Sequence, residues 1–211
     1  MRAPALWVKI CGVTRVADAL AIADVGADAI GLNFVPGSPR RIDLELARRI
    51  AGEVRERVEL VAVVADPSLA EARALHDELG LAYLQLHGSE PATLVAELQP
   101  FAYKAVRVGS SEDAALAQTF PGDRVLVDAK VEGVLGGTGR CVDPLLIVEL
   151  ARRRRVILAG GLTPENVADA LRVVRPFGVD VASGVEELGL PGVKSRVRVA
   201  AFVAAAKGAA V

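Results

Sequence analysis

The stretch Trp7–Thr14, WVKICGVT, is a short apolar run that carries a lysine and a cysteine and ends at a glycine. Side chains alternate across a β-strand, so Lys9 and Cys11 share one face, and Val8 and Ile10 share the other. A run this apolar reads as a buried strand. A polar pair on one face, beside the strand's end, marks a place where that burial serves something besides packing.

Seven further runs of the same kind follow: ADAIGLNFV (27–35), LVAVVAD (60–66), AYLQLHG (82–88), AYKAVRV (102–108), RVLVDAK (124–130), VILAGGL (156–162) and GVDVASG (178–184). Each gap between consecutive runs holds an amphipathic stretch long enough for one helix. These stretches carry start and stop signals. Ser68, after Pro67, opens SLAEARALHDELG and Gly80 closes it. Thr163 with Pro164 opens TPENVADALRVV, Thr14 opens TRVADALAIADVGA, and Asp43, Ser89 and Ser111 head similar segments. Eight strand–helix units without a linker predict a single (β/α)8 TIM-barrel domain over residues 1–211. The alternative is an open doubly wound sheet, which more often shows fewer strands and one phosphate-binding turn.

Composition narrows the function. Of 211 residues, 52% are hydrophobic, which excludes a disordered chain. A formal net charge of −1 and an aromatic content of 4% argue against a nucleic-acid partner or a membrane surface. Charges interrupt every apolar run before it could span a bilayer, and Lys9 cuts short any leader-type apolar core. A soluble, cytoplasmic protein is expected. Cys11 and Cys141 match no metal-ligand spacing and read as free thiols.

Barrel active sites lie at the C-terminal ends of the strands, so polar residues there are the ones to read. They are Lys9 and Cys11, Gln85 and His87, Lys104, Asp128 and Lys130, and Asp180. Glycine turns follow the last two runs, with Gly160 and Gly161 in AGGLTPENV and Ser183 and Gly184 in ASGVE. In barrels these two loops often bind phosphate through backbone N–H groups and a helix start. Cys11 as thiolate base and Asp128 as carboxylic acid, on opposite walls of one pocket, suit proton transfer. Lys9 is expected to lower the Cys11 pKa from its reference of about 8.5. Arg40, in the proline-stiffened loop VPGSPRRID, is a candidate fork for a substrate carboxylate. Gln85, His87 and Asp180 read as pocket-wall residues, and LGGTGR (135–140) as a lid loop. The run Arg152–Arg155 reads as a helix-end cluster suited to the macrodipole. No metal cluster or cofactor fingerprint is present, so the expected partner is a small phosphorylated substrate and the chemistry needs no cofactor.

Taken together, KICGVT, GADAIGLNFVPGSPR, LQLHG, LVDAK, GGTG, AGGLTPENV and VDVASGVE followed by PGVK resemble, in order, the motifs of the phosphoribosylanthranilate isomerase family, barrel enzymes of tryptophan biosynthesis. The resemblance runs from about Val8 to Lys207. It implies an Amadori rearrangement of N-(5-phosphoribosyl)anthranilate, an aminoaldose, to a 1-deoxyribulose product. It also implies Cys11 as general base, Asp128 as general acid and Arg40 on the anthranilate carboxylate, with Gly160, Gly161, Ser183 and Gly184 on the phosphate. The sequence leaves both a monomer and a homodimer open. Two positions depart from the family pattern: CVDP, Cys141–Pro144, stands where an aromatic–acid–Trp run is usual, and Asn33 stands where an apolar residue is usual. Two rival readings keep the barrel: a ribulose-phosphate epimerase, which would want paired His and Asp metal ligands, and a non-catalytic phosphate-binding barrel.

Overall fold

The computed structural model of the chain describes residues 6–129 and 144–209. Eight strands alternate with eight helices: β1 Trp7–Cys11, α1 Val16–Asp24, β2 Ala29–Asn33, α2 Leu44–Val54, β3 Glu59–Val64, α3 Leu69–Leu79, β4 Tyr83–Leu86 and α4 Ala92–Glu97. The second half runs β5 Ala102–Arg107, α5 Ser111–Thr119, β6 Arg124–Asp128, α6 Pro144–Arg153, β7 Arg155–Ala159, α7 Val167–Val174, β8 Gly178–Val181 and α8 Arg196–Ala209, with a short 3-10 turn at Ser183–Val185. All strands are parallel and close into a barrel in sequence order. None of the described helices is long and apolar enough to cross a membrane.

Alternation along the strands sorts the apolar residues into two bodies. Val8, Ile10, Ile30, Leu32 and Leu84 face outward and form the large core with helix residues such as Ile22, Ile50 and Phe202. Trp7, Ala29, Val61, Tyr103, Leu126 and Ile157 face inward and pack the barrel's axis. Lys9 and Cys11 belong to the inward set. β1 pairs with both β2 and β8, so that Lys9 lies beside Ala29 on one side and Asp180 on the other.

Local signals explain most of the helix ends. Ser68 makes a complete capping box with Glu71, and Gly80 ends α3 in the left-handed conformation. The Asp43 and Ser110 side chains cap α2 and α5. Several expected boundaries move; α4 is preceded by Pro91 rather than Ser89, and Ser110 rather than Ser111 caps α5. Thr14 does not cap α1; its hydroxyl donates instead to the carbonyl of Gly192, tying the first loop to the last (2.8 Å). Thr163 and Pro164 precede α7, whose N-cap is Asn166. The Arg152–Arg155 run divides: α6 ends at Arg153, and Arg155 begins β7. Between them, the Arg154 guanidinium donates to the carbonyls of Ala117, Phe120 and Gly122.

Lys104 is a correction of another kind. On β5 it is Tyr103 and Ala105 that face the axis, so Lys104 points outward. There its ammonium pairs with buried Glu90 (3.0 Å) and donates to the carbonyls of Leu86, Gly88 and Ala105. It belongs to the packing outside the barrel and does not line the cavity at the barrel's C-terminal end.

The inward ammonium of Lys9 is wholly buried against an Asp180 side chain that is 8% exposed. Removing one partner of such a pair leaves the other charge buried without compensation. Lys9→Met is therefore expected to lower unfolding stability by about 3–5 kcal/mol. Urea unfolding checks this: the midpoint should fall with the slope unchanged.

Candidate active site

At the C-terminal end of the barrel is a cavity of about 420 Å3. Its lining joins residues from seven strands or the loops that follow them: Cys11 from β1, Asn33 and Arg40 from β2, Val63 from β3, Gln85 and His87 from β4, Asp128 from β6, Gly160 and Gly161 from β7, and Asp180, Ser183 and Gly184 from β8. The inward set converges here because the last inward residues of the strands lie at this end of the barrel.

The cavity floor is polar and fully connected. Lys9 Nζ donates to Gln85 Oε1 (2.9 Å) and Asp180 Oδ1 (3.0 Å), and the Tyr103 hydroxyl donates to the same Gln85 oxygen (3.1 Å). With Gln85 Oε1 accepting twice, its amide nitrogen is the donor to His87 Nδ1 (3.0 Å). His87 therefore carries its proton on Nε2, the other ring nitrogen. The surrounding protein holds the His87 pKa below its ordinary value, with Asp128 and Asp180 opposing that shift, so the ring is neutral. No buried side-chain polar atom among the described residues lacks a partner.

Cys11 stands above this floor. Burial pushes its thiol pKa up, the Asp180 carboxylate adds to the rise, and the Lys9 and Lys194 ammoniums offset only part of it. The expected fall in the Cys11 pKa is thus reversed. The charge on Lys9 is shared with Asp180, and desolvation acts on the thiol directly. Cys11 therefore rests as the neutral thiol.

Arg40 crosses the mouth beside Cys11. Its aliphatic stem lies over Gly12, which has φ of 72°; a Cβ there would collide with the arginine side chain. The guanidinium is not free. Nε and Nη2 donate to the two oxygens of Glu186, both at 2.7 Å. Glu186 also accepts from Lys194 Nζ (2.9 Å) and the Gly192 amide (2.9 Å). These donors outweigh burial and hold the Glu186 carboxyl at about 2, well below its ordinary value of 4.5.

The two glycine loops meet at the same cavity. A Cβ at Gly184 would strike the Leu162 carbonyl, so the loops after β7 and β8 touch only because Gly184 has none. Gly160 sits against Asp128, where a Cβ would come within 2.7 Å of Oδ1. Ser183 opens the 3-10 turn, whose first amides have no acceptor inside the turn. Asn166 pins the other loop by accepting from Thr163 N (2.8 Å) and donating to the Gly161 carbonyl (3.0 Å). Arg198 Nε donates to the Gly184 carbonyl (3.0 Å). The result is a pair of tightly held glycine loops at the mouth, and loops of this kind can offer backbone N–H groups to an anion.

The structure thus brings Cys11, Asp128, Arg40, Gly160, Gly161, Ser183, Gly184, Gln85, His87 and Asp180 to one cavity, with Lys9 beneath them. Lys104 lies elsewhere. Lys130, the loop 135–140 and Cys141–Asp143 fall outside the described residues. Glu186 and Lys194 were not singled out by sequence; the available signal was a glutamate directly after the last glycine turn, with Pro–Gly–Val–Lys behind it. Asn33 does line the cavity, and its side-chain oxygen accepts from the Val35 amide (2.8 Å).

Comparison with known proteins agrees on one family. A family profile described as N-(5'-phosphoribosyl)anthranilate (PRA) isomerase matches residues 8–205. An N-(5'-phosphoribosyl)anthranilate isomerase from Roseiflexus sp. (strain RS-1) is 46% identical, covering 96% of this chain and 98% of its own. A crystal structure of phosphoribosylanthranilate isomerase in complex with reduced 1-(o-carboxyphenylamino)-1-deoxyribulose 5-phosphate superposes with a TM-score of 0.84. It shares 36% identity, covering 96% of this chain and 99% of that one. Monomers generated from the dimeric enzyme of Thermotoga maritima give a TM-score of 0.82 at 37% identity, covering 96% and 99%.

The carboxylate at the centre of the Arg40–Lys194 cluster carries a pH signature. Glu186 titrates at about 2 in the folded chain against an ordinary 4.5. A depressed folded pKa adds stability above the ordinary value and loses it as pH falls toward the folded one. The stability advantage of the wild type over Glu186→Gln is thus expected to be full above pH 4.5 and to shrink steadily toward pH 2. Urea unfolding of both proteins across that range measures it.

Proposed function

The chain belongs to the N-(5'-phosphoribosyl)anthranilate isomerase family, and from that premise we propose how its own residues carry out the rearrangement. The carrying observation is that Cys11 and Asp128 line one cavity together with Arg40 and both glycine loops. The phosphate sits on the backbone N–H groups of Gly160, Gly161, Ser183 and Gly184, and the anthranilate carboxylate on Arg40. The ribose is then held between two anchors, across the cavity that Cys11 and Asp128 share.

Asp128, entering as the carboxylic acid, gives its proton to the furanose ring oxygen. The ring opens as the nitrogen lone pair forms the C1′=N bond of a Schiff base. Cys11, as thiolate, takes the proton from C2′, and the electrons of that bond form the C1′=C2′ bond of an enolamine. Tautomerisation removes the enol proton from oxygen and places one on C1′, giving the ketone. The product is an isomer of the substrate, and no proton is gained or lost overall. Because Cys11 rests as the thiol, its proton must pass to solvent before C2′ is attacked, and solvent returns one to Asp128 at the end of the cycle; the Lys9 and Lys194 ammoniums are the charges that favour the thiolate. His87, neutral and bearing its proton on Nε2, offers a hydrogen-bond donor at the cavity rim, and Gln85 holds its ring in place.

The whole chain, residues 1–211, acts as one barrel domain in this reading, in the cytoplasm, as a monomer or a homodimer. It requires no cofactor, because each step moves only a proton between a side chain and the substrate.

Turnover of phosphoribosylanthranilate generated in situ, followed by fluorescence, tests the assignment. The wild type should be active, and each of Cys11→Ala and Asp128→Asn should lower kcat by about 10²–10⁴-fold. Arg40→Met should act chiefly on KM. Full activity in either catalytic variant would remove that residue from the mechanism.

A further inference from the structure

Arg40 forms the wall between two hollows. One is the active-site cavity; the other is an outer groove of about 690 Å3, lined by Ser183, Gly184, Glu186 to Pro191 and Arg198. A long, flexible arginine side chain in this position, 23% exposed, has room to turn either way unless something restrains it. Two features do. Gly12 seats the stem, and Glu186 grips the head side-on through Nε and Nη2. Glu186 is only 6% exposed and is itself fixed by Lys194 and the Gly192 amide. Lys194 is buried in turn and also donates to the Ala182 carbonyl (2.9 Å). Every restraint on the guanidinium therefore leads back to the loop between β8 and α8.

A guanidinium has two edges that can take a carboxylate in parallel hydrogen bonds: side-on, through Nε and one terminal nitrogen, and end-on, through both terminal nitrogens. Glu186 occupies the side-on edge. Nη1 has no partner among the described residues. The charges of Arg40, Lys194 and Glu186 leave one positive charge in excess, so a carboxylate is still attracted although an acidic side chain stands next to the arginine.

We propose that Glu186 is a positioning residue for substrate recognition: by closing the side-on edge of Arg40, it leaves only the end-on edge to the ring carboxylate and so sets the direction from which the substrate is held. This inference rests on the reading that Arg40 receives that carboxylate. Without Glu186, Arg40 keeps its charge but gains the outer groove as a second place to lie. The carboxylate then meets a side chain that must be ordered anew at each binding event.

The test is equilibrium binding of two ligands, reduced 1-(o-carboxyphenylamino)-1-deoxyribulose 5-phosphate and its phenyl counterpart lacking the ring carboxylate. Each is titrated into the wild type, Glu186→Gln and Arg40→Met by calorimetry. The readout is the ratio of the two Kd values. A charged hydrogen-bonded contact predicts a wild-type preference for the carboxylated ligand of about 10- to 100-fold. Glu186→Gln is expected to lose most of that ratio while holding the phenyl ligand as the wild type does. A wild-type ratio in Glu186→Gln, or equal weakening of both ligands, would overturn the proposal, since the second result is what simple structural damage gives. Arg40→Met separates this failure from that of the underlying reading. If Arg40→Met keeps the ratio, the carboxylate assignment itself falls; if Arg40→Met loses it and Glu186→Gln does not, only the role of Glu186 falls. Should Glu186→Gln not fold, Glu186→Asp keeps the charge facing Lys194 but withdraws the carboxylate by one methylene, and it is expected to lose the ratio in the same way.

Discussion

The ammonium of Lys9 lies inside the barrel with no exposure, and the inner end of the site is built around it. A buried charge is tolerable only when paired and hydrogen-bonded. Asp180 from β8 supplies the pair and Gln85 from β4 the second acceptor, so one side chain binds three strands across the axis. The requirement then spreads outward. Gln85, with its oxygen taken twice, must turn its nitrogen toward His87, which sets the proton on the histidine ring. Cys11, two residues along β1 on the same face, inherits a neighbour whose positive charge is already shared with Asp180.

A second charged cluster stands at the mouth and works by the same rule. Glu186 is held by Arg40, Lys194 and the Gly192 amide, and Thr14 reaches across to the Gly192 carbonyl. The loop after β1 and the loop after β8 are thereby tied together on either side of Cys11. The glycine loops after β7 and β8 close against each other through Gly184. The floor thus depends on one buried pair and the rim on one buried carboxylate, and the cavity lies between them.

Much of this was legible in the sequence because strand and helix periods differ and because caps are local. The parity of WVKICGVT placed Lys9 and Cys11 inward, and Ser68, Asp43 and Gly80 punctuate their helices where their chemistry requires. The glycine turns announced where the mouth would be. What escaped was long-range. Lys104 looks like a mouth residue until Tyr103 is seen to fill the axis and Glu90 to pair with the lysine outside. Thr14 reads as a cap until its partner 178 positions away is known. Glu186 follows the last glycine turn, but its partner is not legible locally, since Arg40 is 146 residues distant. The Cys11 pKa could not be read from Lys9 alone, because burial and Asp180 outweigh a neighbour in sequence.

The central claim is that one cavity holds the substrate's two acidic ends apart so that Cys11 and Asp128 reach the sugar between them. A crystal structure of this chain with reduced 1-(o-carboxyphenylamino)-1-deoxyribulose 5-phosphate tests it most directly. The phosphate is expected on the backbone N–H groups of Gly160, Gly161, Ser183 and Gly184, and the carboxylate on the end-on edge of Arg40. Cys11 Sγ should face the carbon corresponding to C2′, with the Asp128 carboxyl within hydrogen-bond reach of the sugar chain. A ligand bound in the reverse sense, or one whose sugar carbons lie away from both Cys11 and Asp128, would contradict the claim.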